Sequence, residues 1–184
     1  MPALSTYGAE LALPFVLGGV ALVVVVWAVG ALTGRGSRGA VWVALWVCLA
    51  VIGWVTIGLT LIGGVEATRS VNLTPLQEIH RALDTGARQS WFNLVGNILM
   101  FLPFGALVAW LVRRGFLLRV ITATFLGASL SLAIETVQFL LGRVADVDDV
   151  ILNTAGAFLG GLIAAVVAAV RGAPGERARR SVGA

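Results

Sequence analysis

Charged residues, cysteine and histidine are all scarce in this sequence. Only 12% of its 184 residues are charged, 59% are hydrophobic, and the mean hydropathy is +0.97. Soluble domains carry roughly a quarter charged residues, so this composition excludes a soluble globular protein and predicts an integral membrane protein. The single cysteine, Cys48, excludes a disulfide framework and a cysteine metal cluster, and the single histidine, His80, has no second histidine with which to hold a metal.

Five apolar runs are each long enough to cross a bilayer. They cover residues 11–32, 41–62, 92–112, 117–141 and 150–170. A helix of about 20 residues spans a hydrocarbon core of about 30 Å, so we predict an all-α, polytopic membrane helix bundle of about five transmembrane helices. The first run has no basic residue before it and no clear cleavage site after it, which favours a retained helix over a signal peptide. The predicted organisation is two N-terminal transmembrane helices in 1–62, an outer loop helix plus three transmembrane helices in 63–170, and a disordered basic cytoplasmic tail in 171–184.

The basic residues predict the orientation, since all 13 of them are arginine and they are unevenly distributed. Nine would lie on one side of the membrane: Arg35, Arg38, Arg113, Arg114, Arg119, Arg171, Arg177, Arg179 and Arg180. The positive-inside rule assigns this side to the cytoplasm, with the N-terminus outside and the C-terminus cytoplasmic. The net charge of +4 then reflects membrane topology and anchoring to membrane lipid, and it predicts no nucleic-acid partner.

Polar residues in the fourth run share one helical face. Ser131, Glu135 and Gln138 follow one another at spacings of four and three. A carboxylate at membrane depth costs at least a few kcal/mol unless it is paired, hydrated or protonated. This face is therefore predicted to look into the bundle or into a water-filled cavity.

The fifth run carries a matching face. Asp149, Asn153, Gly156 and Gly160 recur at spacings of four, three and four, and the two glycines permit the close approach of another helix. Arg143, Asp146 and Asp148 lie just before this face, in the connection to the fourth run. Asp148 or Asp149 could alternatively cap the helix N-terminus.

The third run and the preceding loop complete the predicted site. Asn93 and Asn97 are four residues apart on the third run, at the same predicted depth as Glu135. In the loop, Thr74 and Pro75 have the residue types of a helix cap and a first helical position, which predicts a short amphipathic helix and a candidate lid at the outer interface. We therefore expect an outward-facing polar pocket.

Three segments resemble the VanZ-like family. They are "VNLTPLQEI", "NLVGNILMFLPFG" and "SLAIETVQFLLGRVADVDDVILNTAGAFLGG", which together cover about residues 71–165. The resemblance implies a multi-pass membrane protein in a family whose founding member is linked to low-level resistance to the glycopeptide teicoplanin. The family pattern falls on Asn72, Pro75, Asn97, Pro103, Gly105, Glu135, Gln138, Arg143, Asp146, Asp148, Asp149, Asn153 and Gly156, and Leu76 departs from it because the family more often has an aromatic residue there.

Several functions fit these residues. The candidate ligand-binding residues are Asn72, Asn93, Asn97, Glu135, Gln138, Arg143, Asp146, Asp148, Asp149 and Asn153. In a non-enzymatic factor they would bind a lipid-linked cell-wall precursor or a lipoglycopeptide. In a membrane-embedded enzyme Glu135, Asp148 or Asp149 would be the catalytic candidates, acting on a lipid-linked phosphate or glycan that Arg143 holds. No cofactor is evident, although the aspartates also form an oxygen donor set suited to a divalent cation, and a purely structural role for the polar residues stays open as well.

Overall fold

A computed structural model describes residues 18, 37–58, 61, 70–85 and 88–182. Its elements in chain order are α1 (Ser37–Gly53), a π-helical turn (Trp54–Gly58), β1 (Val71–Asn72), α2 (Gln77–Thr85), α3 (Arg88–Leu111), α4 (Phe116–Leu140), β2 (Ala145–Asp146) and α5 (Val147–Val182). The predicted class, an all-α membrane bundle, is confirmed, since the two strands have only two residues each.

Four helices of the described part are long and apolar enough to cross a membrane. The candidate spans are Arg38–Gly58, Ser90–Leu111, Phe116–Leu140 and Val147–Arg171. They correspond to the second, third, fourth and fifth apolar runs, while the first run, 11–32, lies outside the described residues except for residue 18. Large apolar side chains such as Leu117, Phe125 and Ile163 are exposed on these helices, as surfaces in contact with lipid require.

Helix α5 packs very closely against α3. A Cβ atom added to Gly156 would collide with the backbone carbonyl of Ile98, and one added to Gly160 would collide with that of Leu102. Gly105 of α3 meets the backbone of Ala157 in the same way. The prediction that Gly156 and Gly160 permit close helix contact is confirmed, and the partner helix is α3.

Helix α1 packs on the other side of α3 through an apolar core. Ile52 and Cys48 of α1 and Phe101 of α3 are buried within it. Because Cys48 is a buried thiol among apolar side chains, it contributes to packing.

The loop before α2 pairs with the connection between α4 and α5. Strands β1 and β2 are parallel, with Val71 opposite Ala145 and Asn72 opposite Asp146. We call the end of the bundle that carries these strands the strand end. Successive spans alternate in direction, so the start of α1, the α3–α4 turn and the end of the α5 span lie at the opposite end, which we call the arginine end. That the strand end faces outward stays a prediction.

Two helix boundaries differ from the sequence prediction. Helix α2 begins at Gln77 and not at Pro75, because Leu76 has a φ of 65°, which is incompatible with a right-handed helix at that residue. Helix α5 begins at Val147, three residues before the predicted start, and continues to Val182 through the stretch expected to be a disordered tail.

Candidate functional site

One face of α4 carries polar side chains into the bundle. Ser131, Glu135 and Gln138 are buried, with exposed fractions of 0%, 5% and 5%. The predicted inward orientation of this face is therefore confirmed. Since α4 spans the membrane, the cost of a lipid-facing carboxylate explains why Glu135 lies inside the bundle.

The end of α4 folds the chain back over Glu135. The N–H of Arg143 donates to the carbonyl of Gln138 at 3.0 Å and the N–H of Gly142 donates to that of Phe139 at 3.0 Å, the two hydrogen bonds of a Schellman motif. Gly142 has a φ of 95°, in the left-handed region that favours glycine. This turn brings β2 close enough for the N–H of Asp146 to donate to the Glu135 carboxylate at 2.8 Å.

Gln138 connects the same face of α4 to α1. Its Nε2 atom donates to the carbonyl of Thr56 at 3.0 Å, within the π-helical turn. A π-helical turn changes the spacing of backbone hydrogen bonds, and such turns often occur at functional sites. Helix α1 is thereby part of the site, which the sequence did not predict.

Asp146 is the N-cap of α5. Its Oδ1 atom accepts from the N–H of Asp148 at 2.9 Å, which satisfies one of the free amides in the first turn of the helix. Its Oδ2 atom accepts from Nδ2 of Asn72 at 3.1 Å. The expectation that Asp148 or Asp149 caps α5 is corrected here, because the helix starts before either residue.

Asp148 holds the loop that precedes α2. It is 2% exposed, and its Oδ1 atom accepts from the N–H of Leu76 at 2.5 Å. Leu76 is the non-glycine residue with a positive φ in the described part of the chain. The bond therefore fixes a backbone conformation that leucine rarely adopts.

Asp149 connects α5 to α3. It accepts a hydrogen bond from Nδ2 of Asn97 at 2.6 Å. The sequence placed Asp149 opposite Glu135, and the contact with Asn97 connects it to the third predicted helix as well. A charged acceptor gives shorter hydrogen bonds than a neutral one, and this bond is short.

Asn153 connects α5 to α4. Its Nδ2 atom donates to Oγ of Ser131 at 2.9 Å, one helical turn from Glu135 and Asp149 along their respective helices. Asn153 is 2% exposed, and its Oδ1 atom is the one buried side-chain polar atom in the described part of the chain without a hydrogen-bond partner. Buried acceptors of this kind usually take an ordered water or a ligand donor.

Asn72 organises the loop at the strand end. Besides its bond to Asp146, its Nδ2 atom donates to Oε1 of Gln77 at 3.1 Å, and its Oδ1 atom accepts from the N–H of Thr74 at 3.1 Å. Thr74 is therefore held in an Asx turn and does not cap α2. Asn72 joins both strands to the start of α2.

Hydrogen bonds thus connect most of the predicted site residues at the strand end. We call these residues the polar cluster: Asn72, Asn97, Ser131, Glu135, Gln138, Asp146, Asp148, Asp149 and Asn153. Two other predicted residues, Asn93 on α3 and Arg143 in the α4–β2 connection, are exposed. Thr56, Ser70 and Leu76 contribute backbone atoms. Their roles could not be predicted from residue type, because any residue can supply such atoms.

The acidic side chains that the structure describes are not grouped as metal ligands. Within the ranges that the structure describes, no group of three or more His, Cys, Asp and Glu side chains is arranged to hold a metal ion. Asp146, Asp148 and Asp149 each accept hydrogen bonds from different partners, namely Asn72, Leu76 and Asn97. The divalent cation alternative therefore finds no support in the arrangement of these side chains.

The fold and the site define a class of protein: a polytopic helical membrane protein with a cluster of acids and amides at one end of its bundle. The chain matches the family model VanZ/LLP1 over residues 40–168 and belongs to that family, as its motifs predicted. The match begins before α3 and therefore includes α1, in agreement with the bond between Gln138 and Thr56. Comparisons with curated proteins and with solved structures gave no match.

Proposed function

We propose that this protein is a non-enzymatic VanZ-like factor that binds a cell-surface component from outside the membrane. The component would be a lipid-linked cell-wall precursor or a lipoglycopeptide, and its binding would contribute to glycopeptide (teicoplanin) resistance. Membership of the VanZ/LLP1 family supports the membrane setting and the link to this resistance.

The observation that carries the proposal is the burial of Glu135 in a membrane span. The side chain is 5% exposed and lies at the centre of contacts among α4, β2 and the loop before α2. Ionisable residues at membrane depth are costly, and they usually mark a binding or transport site. Apolar residues would hold the same helices together without this cost.

The chemistry of the polar cluster favours a ligand rich in hydrogen-bond donors. Glu135, Asp148 and Asp149 present carboxylate oxygens, and Asn153 has a buried acceptor without a partner. Hydroxyl and amide N–H groups are suitable donors for such acceptors. Lipid-linked wall precursors and lipoglycopeptides carry both groups beside an acyl or isoprenoid chain.

An enzyme is the second candidate, because four carboxylates lie at one end of the bundle. Glu135 or the acids Asp146, Asp148 and Asp149 would then act on a lipid-linked phosphate or glycan. A general base must reach the proton it removes. The carboxylates of Glu135, Asp148 and Asp149 accept hydrogen bonds from protein groups, and since a carboxylate has about four acceptor sites, these bonds are compatible with binding a ligand donor as well as with removing a proton.

Binding can be tested with variants of the predicted site residues whose side chains are exposed. We would measure teicoplanin and lipid-linked precursor binding to the purified protein in nanodiscs. Arg143→Gln and Asn93→Leu change exposed side chains and should weaken binding by roughly 5- to 100-fold, the effect of losing one hydrogen bond to a ligand. Thr136→Val is the control, because this exposed hydroxyl bonds to its own helix at the Leu132 carbonyl. Absence of binding to either ligand by the unaltered protein would contradict the proposal.

A second experiment separates binding from catalysis. Glu135→Gln and Asp149→Asn preserve size and hydrogen bonding but remove a general base. If both variants insert, bind and still protect susceptible bacteria from teicoplanin, the enzyme alternative is excluded. Loss of protection in both with binding retained would favour the enzyme. If Arg143→Gln and Asn93→Leu leave binding and protection unchanged, neither of these exposed side chains contacts the ligand.

A further inference from the structure

The arginine end of the bundle carries a concentration of positive charge. Its arginines with described side chains are Arg38, Arg113, Arg114, Arg119 and Arg171. Among the described side chains, every Asp and Glu lies on α2, in the last two turns of α4 or from β2 to the first turn of α5, all at the strand end. None of the side chains described at the arginine end is therefore acidic; Glu176 lies further along α5, and its side chain is outside the described part.

Arg119 fixes the α3–α4 turn. Its Nε atom donates to the carbonyl of Arg114 at 3.0 Å, and its Nη1 atom donates to the carbonyl of Ala109 at 3.0 Å. Carbonyls at the end of a helix lack an intrahelical partner, so this arginine satisfies one of them. The turn that carries Arg113 and Arg114 is thereby held against the end of α3.

Arg171 brings a further cation to the same place. Its Cζ atom lies 5.4 Å from the ring centroid of Trp110, within the range of a cation–π interaction. Trp110 is in the last turn of α3, next to Ala109, to which Arg119 donates. The contact therefore places the end of the α5 span beside the α3–α4 turn.

An apolar surface begins directly after this turn. Phe116, Leu117 and Leu118 open α4 and are 45%, 69% and 45% exposed. Exposed phenylalanine and leucine at the end of a membrane span fit acyl chains, while tryptophan is typical of the level of the lipid headgroups. The arginine side chains thus lie beside an exposed apolar surface. A soluble anion would not need such a surface for binding.

We propose that Arg113 and Arg114 of the α3–α4 turn and Arg171, which lies over Trp110, form a binding site for the phosphate of an anionic phospholipid. Guanidinium groups pair with phosphate oxygens through two parallel hydrogen bonds, which makes arginine the preferred residue for such a site. The acyl chains lie along Phe116, Leu117 and Leu118. This inference is independent of the proposed function, because it concerns the opposite end of the bundle.

Native mass spectrometry of the full chain in detergent tests the site. The protein is mixed with equal amounts of phosphatidylglycerol and phosphatidylcholine, and retained lipids are counted. Preferential retention of phosphatidylglycerol is expected. Each arginine near an anionic lipid is worth about 1 kcal/mol, so Arg113→Gln with Arg114→Gln should weaken phosphatidylglycerol binding roughly 30-fold. Arg171→Gln alone should weaken it about fivefold, and it serves as the test if the double variant does not fold.

The matched control for Arg171→Gln removes one charge from the strand end. Arg81→Gln should leave phosphatidylglycerol binding within about twofold of the unaltered protein, because Arg81 lies away from the α3–α4 turn. Unfolding temperatures in phosphatidylcholine alone confirm that each variant is folded. Equal retention of the two lipids, or an equal loss in the control, would overturn the proposal. Glycerol phosphate, which has the headgroup but no acyl chain, should not displace the lipid, and efficient displacement would overturn the assignment to a lipid.

Discussion

The buried carboxylate of Glu135 accepts a 2.8 Å hydrogen bond from the backbone N–H of Asp146, eleven residues further along the chain. Asp146 in turn caps α5 with one carboxylate oxygen and binds Asn72 with the other. A single contact between a helix and a backbone amide therefore positions both the start of α5 and the loop that pairs with β2. This order of contacts predicts how substitutions of Glu135 affect stability.

Glu135→Leu should lower the free energy of unfolding by about 1 to 3 kcal/mol, because the N–H of Asp146 loses its acceptor. Glu135→Gln should cost less than about 1 kcal/mol, since the amide oxygen can accept the same bond. Thermal or denaturant unfolding in detergent measures both values. Equal losses in the two variants would show that the bond to Asp146 does not stabilise the strand end.

The inward faces of α4 and α5 could be predicted from residue spacing together with the cost of burying charge in lipid. Ser131, Glu135 and Gln138 repeat at the spacing of one helical face. Because a carboxylate in contact with lipid is energetically costly, this face must point into the bundle. Gly142 directly follows the fourth run, at a position where glycine commonly ends a helix. With that turn in place, the return of the chain over Glu135 could have been predicted.

Contacts that depend on backbone atoms could not be predicted in this way. The pairing of β1 with β2 involves two residues on each strand, too few for an alternating pattern. The φ of 65° at Leu76 runs against the preference of leucine, and the contact of its N–H with Asp148, 72 residues away in the sequence, helps to hold it. Such local exceptions arise from tertiary contacts that are distant in sequence.

Asn97 and Asp149 should be energetically coupled. A double-mutant cycle with Asn97→Ala and Asp149→Ala is expected to give a coupling of about 1 kcal/mol, between the average for hydrogen bonds inside membranes and that for bonds to a charged acceptor. The coupling energy is obtained from the unfolding free energies of the unaltered protein, the two single variants and the double variant. As a control, Asn97→Ala combined with Thr124→Val should show coupling below about 0.5 kcal/mol, because Thr124 bonds to Val120 on its own helix. A coupling near zero for Asn97 with Asp149 would contradict the assigned contact.

Gly160→Ala should be strongly destabilising, although alanine favours helices. The added Cβ would collide with the backbone carbonyl of Leu102, which cannot move aside by changing a rotamer. We expect a loss of about 3 kcal/mol in the free energy of unfolding, the upper part of the range for overpacking. Gly96→Ala on α3 is the matched control, because its Cβ would meet no heavy atom within 4 Å. This substitution should raise the free energy of unfolding by up to about 1 kcal/mol. Similar effects of the two substitutions would argue against close packing of α3 and α5.

Labelling of introduced cysteines in intact cells should show the strand end outside. Val144→Cys lies in the α4–β2 connection, where the native side chain is 42% exposed, and it should react with a membrane-impermeant maleimide. Gly115→Cys lies in the α3–α4 turn, where its Cβ would meet no heavy atom within 4 Å, and it should react only after the cells are opened. Native Cys48 is 3% exposed inside a span and should not contribute to the signal.

The positive-inside rule is the physical basis of the expected labelling pattern, since Arg113, Arg114 and Arg119 lie close in sequence to Gly115. The reverse labelling pattern would place the polar cluster in the cytoplasm and exclude binding of an external wall precursor or lipoglycopeptide.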